Sequence, residues 1–173
     1  MNDRVSKSAS KDSAPKGQEQ REHFRVNAEI RISAVALGEA SAKPWAYCEE
    51  GGISPLIGPG EEALAKAQER LKTQPLRKVN LSAGGFRTGY GGETAWDRAP
   101  EVGKGDPLSV VLELQLPGEL EAILVHLVAR VVWVEQTAKW TYMAAKFDRV
   151  PTGVERVLTQ FIMEVERRRL RPS

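Results

Sequence analysis

Strict alternation of apolar and polar side chains is the feature of this sequence that most restricts its fold. From Phe24 to Ser33 every even-numbered residue is apolar and every odd-numbered residue is polar. Residues 108–116 likewise carry an apolar side chain at every even position. Because alternate side chains of an extended chain point to opposite faces, both segments predict β-strands with one buried face.

Four more strands and a single C-terminal helix complete the predicted order. The strands are expected at about residues 76–81, from residue 86, at 120–134 and at 140–147. After Pro151 the spacing changes to the helical period, with apolar side chains at Val154, Val157, Leu158, Phe161, Ile162 and Val165. About six strands followed by an amphipathic helix predict a small antiparallel β-barrel, closed or partly closed, that the helix caps.

The rest of the chain is predicted to form a tail and an insertion. Residues 1–20 are polar with almost no large apolar side chains, which predicts a disordered tail. The domain then runs over about residues 21–170 and contains an insertion at about 38–75. Within the insertion, residues 38–60 are rich in Gly, Pro and Ala and are expected to be mostly irregular, whereas 61–73 predict a short surface helix.

Composition argues against several classes of protein. The net charge is only +2 and aromatic residues make up 6% of the chain, which disfavours a nucleic-acid-binding barrel with a basic groove. The single cysteine, Cys48, excludes an intramolecular disulfide and fits a reducing cytosol. Since no apolar run reaches the roughly 20 residues of a membrane span, we expect a cytoplasmic protein. We expect it to be a monomer or a homodimer.

No catalytic or metal-binding signature is recognisable. The sequence lacks a phosphate-binding Walker loop, an H-E-x-x-H helix, a C-x-x-C pair and a G-x-S-x-G elbow. Its two histidines, His23 and His126, are far apart and have no obvious carboxylate partners in the sequence. We therefore expect a binding protein that is not an enzyme and has no metal or other cofactor.

The first pattern that can carry binding chemistry is Arg21-x-x-x-Arg25. A spacing of four residues places both arginines on the same side of an extended chain, about 13 Å apart. Alternation puts that side opposite Phe24 and Val26, so that it faces away from the core. Two guanidinium groups held in this way can bind phosphates and the O6/N7 edge of guanine through paired hydrogen bonds.

The second pattern is Asn-Leu-Ser-Ala-Gly-Gly at residues 80–85. Val79 and Leu81 define the core face, so Asn80 and Ser82 are predicted to point outward together. The Asn amide offers a donor and an acceptor, and the Ser side chain offers a hydroxyl.

Several residues in and around the second pattern could also contribute to a binding site. Gly84 and Gly85 permit positive φ and a close approach of the backbone to a ligand. Arg87 either lies near that ligand or is simply an exposed strand residue. Trp133 either stacks on a base or packs in the core, and core packing is the favoured interpretation. Arg77 is expected to add positive potential without making contacts.

The two patterns, in this order and within strands followed by a helix, resemble the signature of the PilZ domain family. The resemblance covers about residues 20–165. It implies a mainly β fold, a six-stranded antiparallel PilZ-type β-barrel with a C-terminal α-helix, and binding of the bacterial second messenger cyclic di-GMP. The residues that the resemblance assigns to the nucleotide are Arg21, Arg25, Asn80, Ser82 and Gly85.

The resemblance also implies a role in signalling. Nucleotide binding would rearrange the N-terminal arginine segment and thereby alter contacts with a downstream protein, with motility, exopolysaccharide secretion or biofilm formation as the output. Gln20 occupies a junction thought to influence whether one nucleotide or an intercalated pair binds, and it leaves the stoichiometry open. The alternative is an adaptor that has kept the motifs but mainly docks a protein partner through its inserted and C-terminal helices.

Overall fold

The computed structural model describes residues 24–37, 42–49, 52–59 and 61–171. The predicted tail lies outside these ranges, and so do Gln20 and Arg21. In chain order the elements are β1 (Val26–Ala36), β2 (Ala42–Glu49), β3 (Gly52–Pro59), α1 (Glu61–Thr73), β4 (Arg77–Ser82), β5 (Gly85–Tyr90), β6 (Pro107–Leu114), β7 (Ile123–Gln136), β8 (Thr141–Asp148) and α2 (Thr152–Leu170). A short 3-10 helix, Ala95–Asp97, lies between β5 and β6.

Six of these strands form a closed barrel in the order β1-β4-β5-β8-β7-β6, and every neighbouring pair in it is antiparallel. The alternation in the sequence selects the inner face. Ile30 and Ile32 of β1 and Leu108 and Leu112 of β6 are all buried in one apolar core. The predicted six-stranded antiparallel barrel is therefore confirmed.

Helix α2 covers the core where the barrel is open. Its apolar stripe, Val154, Leu158 and Phe161, belongs to the same buried cluster as the inward-facing strand residues. A helix can reach the interior of a closed barrel only at an open end, so α2 closes one end, as the helical period predicted. Among the described residues, no helix is both long and apolar enough to cross a membrane.

The insertion is more ordered than its composition indicated. Strands β2 and β3 form a separate two-stranded antiparallel sheet, with Ala42 opposite Pro59 and Glu49 opposite Gly52. The prediction of mostly irregular structure for residues 38–60 was wrong over these strands. Proline is tolerated on edge strands, and both strands of a two-stranded sheet are edges, so its prolines did not rule out a sheet.

Helix α1 has the bounds that the sequence predicted and lies against the outside of the barrel. Ala67 and Leu71 are buried there in a small apolar cluster with Val111 of β6, and Val35 of β1 packs against it. The narrow apolar stripe of this helix is thus used to cover the outer face of β1 and β6. The opposite side of the barrel is formed by β4, β5, β8 and β7.

Arg77 secures the loop after β5 to the barrel. Its side chain is only 6% exposed, and Nη1 donates to Asp97 Oδ1 at 2.7 Å and to the Gly89 carbonyl at 2.9 Å. The guanidinium lies 4.3 Å from the centre of the Tyr90 ring, and burial raises the pKa of the Tyr90 hydroxyl. Asp97 also accepts a hydrogen bond from the Gly91 amide. The prediction that Arg77 makes no contacts was wrong, because its side chain points into the barrel end and not into solvent.

Arg77→Ala should destabilise the protein by about 3 kcal/mol, because it leaves the Asp97 carboxylate without its cation in a largely buried site. Urea denaturation followed by circular dichroism measures this loss. Lys72→Ala serves as the control, since it removes an exposed ion pair with Glu69 and should change the free energy of unfolding by less than about 1 kcal/mol. Equal effects of the two substitutions would contradict a structural role for the Arg77 pair.

Candidate functional site

The strand register brings outward side chains from five strands into one row on the outer face of the barrel. Asn27 of β1 lies opposite Asn80 of β4, Asn80 opposite Arg87 of β5, Arg87 opposite Ala144 of β8, and Ala144 opposite Trp133 of β7. Directly opposite side chains in such a row are about 5 Å apart. The five residues therefore form a continuous polar and aromatic strip, which we call the outer strip.

Two asparagines form one end of the outer strip. Asn80 Nδ2 donates to Asn27 Oδ1 at 2.9 Å, so each amide orients the other. Asn80 is half-buried and Asn27 exposed, while Val79 and Leu81 on either side of Asn80 are fully buried. Asn80 thus has the outward orientation that alternation predicted. An amide has two donors and an acceptor, so this pair can also bond a planar polar ligand edge.

Arg87 and Trp133 form the other end of the outer strip. The Arg87 guanidinium carbon lies 5.6 Å from the centre of the Trp133 ring, within the range of a cation–π contact. Arg87 is exposed and Trp133 half-buried. Ala144 lies between them in the register, and its small side chain lets the guanidinium reach the ring.

A β-bulge in β7 explains the position of Trp133. Val131 lies opposite Ala145 and points inward, yet Trp133 lies opposite Ala144, so the register shifts by one residue between them. One extra residue in a strand exchanges the faces of the side chains that follow it. The favoured prediction of core packing for Trp133 was therefore wrong.

Ser82 is buried and shapes the turn between β4 and β5. Its Oγ accepts hydrogen bonds from the Gly84 and Gly85 amides, both at 3.1 Å, and donates to the Gly85 carbonyl at 3.3 Å. A hydroxyl has one donor and two acceptor sites, and the turn occupies all three. This differs from the outward orientation predicted for Ser82, because the short side chain bonds its own backbone instead.

Gly85 allows β5 and β8 to approach each other closely. It lies opposite Lys146, and a Cβ at this position would collide with the Ala145 carbonyl oxygen. Neither Gly84 nor Gly85 has a positive φ. The positive φ that these glycines permit is thus not used, and the close approach made by Gly85 is to a neighbouring strand. Gly84 contributes its carbonyl, which accepts from the Phe147 amide at 2.9 Å.

Cations lie beside the outer strip at the end of the barrel that carries this turn. Lys146 is exposed and lies opposite both Gly85 and Arg130 in the register. Arg130 is exposed too, and its only ion pair within the described chain is a long one of 4.0 Å to Asp148. Arg25 is exposed and directly precedes the Val26–Leu81 pair, which places its backbone next to the same turn. The positive charge is thus local, although the whole chain is nearly neutral.

Sequence reasoning missed part of this arrangement. Asn27, Ala144 and Lys146 were not singled out, although alternation within their strands already places them on the outward face. What the sequence does not show is the register that aligns them with Asn80 and Arg87. The structure brings together Arg25, Asn80 and Arg87 with these residues, while Gln20 and Arg21 lie outside the described ranges. In those ranges no three His, Cys, Asp or Glu side chains are grouped to hold a metal ion.

The closed six-stranded antiparallel barrel with one C-terminal helix places this chain among the small β-barrel domains. Comparison with solved structures shows which kind of barrel it is. A Xanthomonas campestris PilZ domain that assembles as a tetramer through a helical bundle is similar at a TM-score of 0.51 and 14% identity, over 87% of this chain and 89% of that one. MotI/DgrA, an inhibitor of motility from Bacillus subtilis, matches at a TM-score of 0.50 and 13% identity. The match covers 87% of this chain and 53% of that one. This chain has a PilZ-type fold, as its two motifs predicted.

A third similar structure is the PilZ domain of YcgR from Escherichia coli with c-di-GMP, at a TM-score of 0.48 and 16% identity, over 87% of this chain and 94% of that one. This chain spans about half the length of MotI/DgrA. No family model matches the sequence, and no curated protein matches it either.

Gly85→Ala should lower the free energy of unfolding by about 1–3 kcal/mol, because the added methyl group forces β5 away from the Ala145 carbonyl. Thermal and urea unfolding measure the change. Gly103→Ala is the matched control: its Cβ would have only Asp106 Oδ2 nearby, at 4.0 Å, and the change should stay within about 0.5 kcal/mol. A Gly85→Ala protein as stable as the control would refute the close packing described.

Proposed function

We propose that this protein is a receptor for cyclic di-GMP and that the nucleotide lies on the outer strip. The observation that carries the proposal is the alignment of Asn27, Asn80, Arg87 and Trp133 in one row, with Arg25 entering beside it. A guanine nucleotide needs hydrogen-bonding groups for its base edge, a surface for its base plane and cations for its phosphates. The strip and its neighbours supply all three.

The roles divide between side chains and backbone. Asn80 and Asn27 suit the hydrogen-bonding edge of guanine, and the Arg87–Trp133 pair suits its plane. Arg25 and Lys146 are placed for phosphates. Arg21 joins this set through the motif spacing, with Gln20 beside it.

Ser82, Gly84 and Gly85 act in this proposal by shaping the backbone. They form the turn and the strand contact that hold Asn80 and Arg87 in register. Their presence in the motif is then explained by geometry, and no side-chain contact to the nucleotide is required of Ser82.

Binding would act as a signal and not as a step of catalysis. The nucleotide would draw the arginine segment at residues 21–25 onto the barrel and change the surface offered to a downstream protein in the cytoplasm. The motility inhibitor MotI/DgrA, which shares the fold, supports a regulatory role. Motility, exopolysaccharide secretion and biofilm formation are the outputs that we propose.

Calorimetry with cyclic di-GMP tests the receptor. Arg25→Ala and Arg87→Ala should each weaken binding about tenfold to a hundredfold, since each removes a charged contact with the nucleotide. Lys72→Ala, which removes an exposed cation from α1 outside the outer strip, should bind as the wild type does. A wild-type protein that gives no heat at low or moderate salt would overturn the proposal.

A partner-docking adaptor is the second candidate, and one surface favours it. Phe24, Met163 and Leu170 are 62%, 58% and 69% exposed and line one groove with Arg167 and Arg171. Large apolar side chains grouped on a surface are typical of protein-interaction sites.

Capture of interacting proteins, with and without cyclic di-GMP, separates the two functions. A receptor should capture a different amount of its partner when the nucleotide is present than when it is absent. An adaptor should retain the same partner equally in both conditions and lose it when Met163 and Leu170 are both changed to Ser. Leu120→Ser, at a fully exposed position in a turn, is the control for nonspecific apolar contacts, and equal losses in it would argue against α2 docking.

A further inference from the structure

The outer face of the barrel carries a second aromatic surface next to the outer strip. Tyr142 lies two residues from Ala144 on β8, opposite Gly89 of β5 and Glu135 of β7. Residues two apart on a strand share a face and are separated by about 7 Å. Tyr142 therefore lies in the row next to Arg87, Ala144 and Trp133.

The rings of Tyr142 and Trp140 lie close to Gly89 and Gly91. A Cβ at Gly89 would be 3.0 Å from two Tyr142 ring carbons and 3.5 Å from the Trp140 ring, and one at Gly91 would be 3.6 Å from Trp140. The two rings are stacked, with centroids 6.3 Å apart and planes inclined by 21°. Trp140 is 45% exposed and Tyr142 is 37% exposed, so both residues present part of their surface to solvent.

The turn between β7 and β8 fixes the position of Trp140. The Trp140 amide donates to Thr137 Oγ1 at 3.0 Å, and the Thr137 amide donates to the Trp140 carbonyl at 2.8 Å. A surface held in place before binding loses little conformational entropy when a ligand arrives. The stacked pair is thus a preformed platform, which we call the distal platform.

The surroundings of the distal platform indicate what it can bind. Lys78, which is exposed, and the Arg77–Asp97 ion pair line a groove of about 380 Å³ with Trp140 and Tyr142. Covering a glycine with an aromatic ring stabilises a sheet, yet Trp140 and Tyr142 both keep more than a third of their surface exposed. An exposed pair of rings with an adjacent cation matches a planar base joined to a phosphate.

We propose that Trp140 and Tyr142 form a stacking subsite for one guanine of a cyclic dinucleotide whose other guanine lies on the outer strip. This inference rests on the proposed function and extends it to two residues outside the sequence motifs. A cyclic dinucleotide carries two purines on one ring, so two adjacent stacking surfaces in successive rows match its chemistry. The same subsite could be filled by a guanine of a second nucleotide, which binding stoichiometry distinguishes.

Calorimetry with cyclic di-GMP on Tyr142 variants tests the subsite. Tyr142→Leu keeps an apolar cover over Gly89 but removes the π face, and the affinity should fall about 5- to 150-fold. Tyr142→Phe keeps the ring and should bind as the wild type does. Leu124→Ala, at an exposed apolar position elsewhere on β7, is the control. A stoichiometry of one nucleotide per chain is expected if both guanines belong to the same molecule. Two nucleotides per chain would assign the distal platform to a second molecule and overturn the proposal that one ligand spans both surfaces.

Tryptophan fluorescence gives a readout that does not depend on the Tyr142 variants folding. Nucleotide should quench the indole of Trp140, and Trp140→Phe should lose that part of the signal while Trp45→Phe, on β2, retains it. Wild-type affinity in Tyr142→Leu together with weak binding in Arg25→Ala would overturn the subsite and leave the receptor standing. Equal losses in Tyr142→Leu and Tyr142→Phe would also refute stacking. A wild type without binding would overturn both proposals.

Discussion

The contact between β5 and β8 at Gly85 is the constraint on which the site depends. Because Gly85 has no Cβ, the two strands can approach until the Ala145 carbonyl lies where a side chain would be. This pairing sets Arg87 opposite Ala144, and the rest of the outer strip follows from the same register. A displacement of β5 from β8 would separate Arg87 and the asparagines from Trp133 without changing any of those residues.

Alternation predicted much of the fold because burial on one side of a strand leaves a direct mark on the sequence. It identified the inner faces of β1 and β6 and the outward position of Asn80, and the helical period identified α1 and α2. It could not predict the side of Trp133, since Val131 to Val134 are all apolar and a bulge there leaves no mark. Arg77 was missed because its neutralising partner, Asp97, is 20 residues away in a loop.

In the candidate site too, the sequence predicted what depends on local geometry and missed what depends on contacts between distant residues. Motif spacing placed Arg25 and Asn80 correctly relative to the strands, because both depend on local geometry alone. Ser82 and Gly85 depend on atoms of the turn and of β8, which the motif itself does not contain. Asn27 and Lys146 could be found only once the strand partners were known.

The hairpin β2–β3 has a consequence for how copies of this chain behave at high concentration. Among the described strands, only these two have a side without a strand partner, since the other six close on themselves. Open strand sides can recruit further strands and lead to aggregation. Pro44, Pro55 and Pro59 lie in this hairpin and lack the backbone N–H that an added strand would need. The hairpin therefore offers fewer backbone N–H donors for further strand pairing than two strands without proline would.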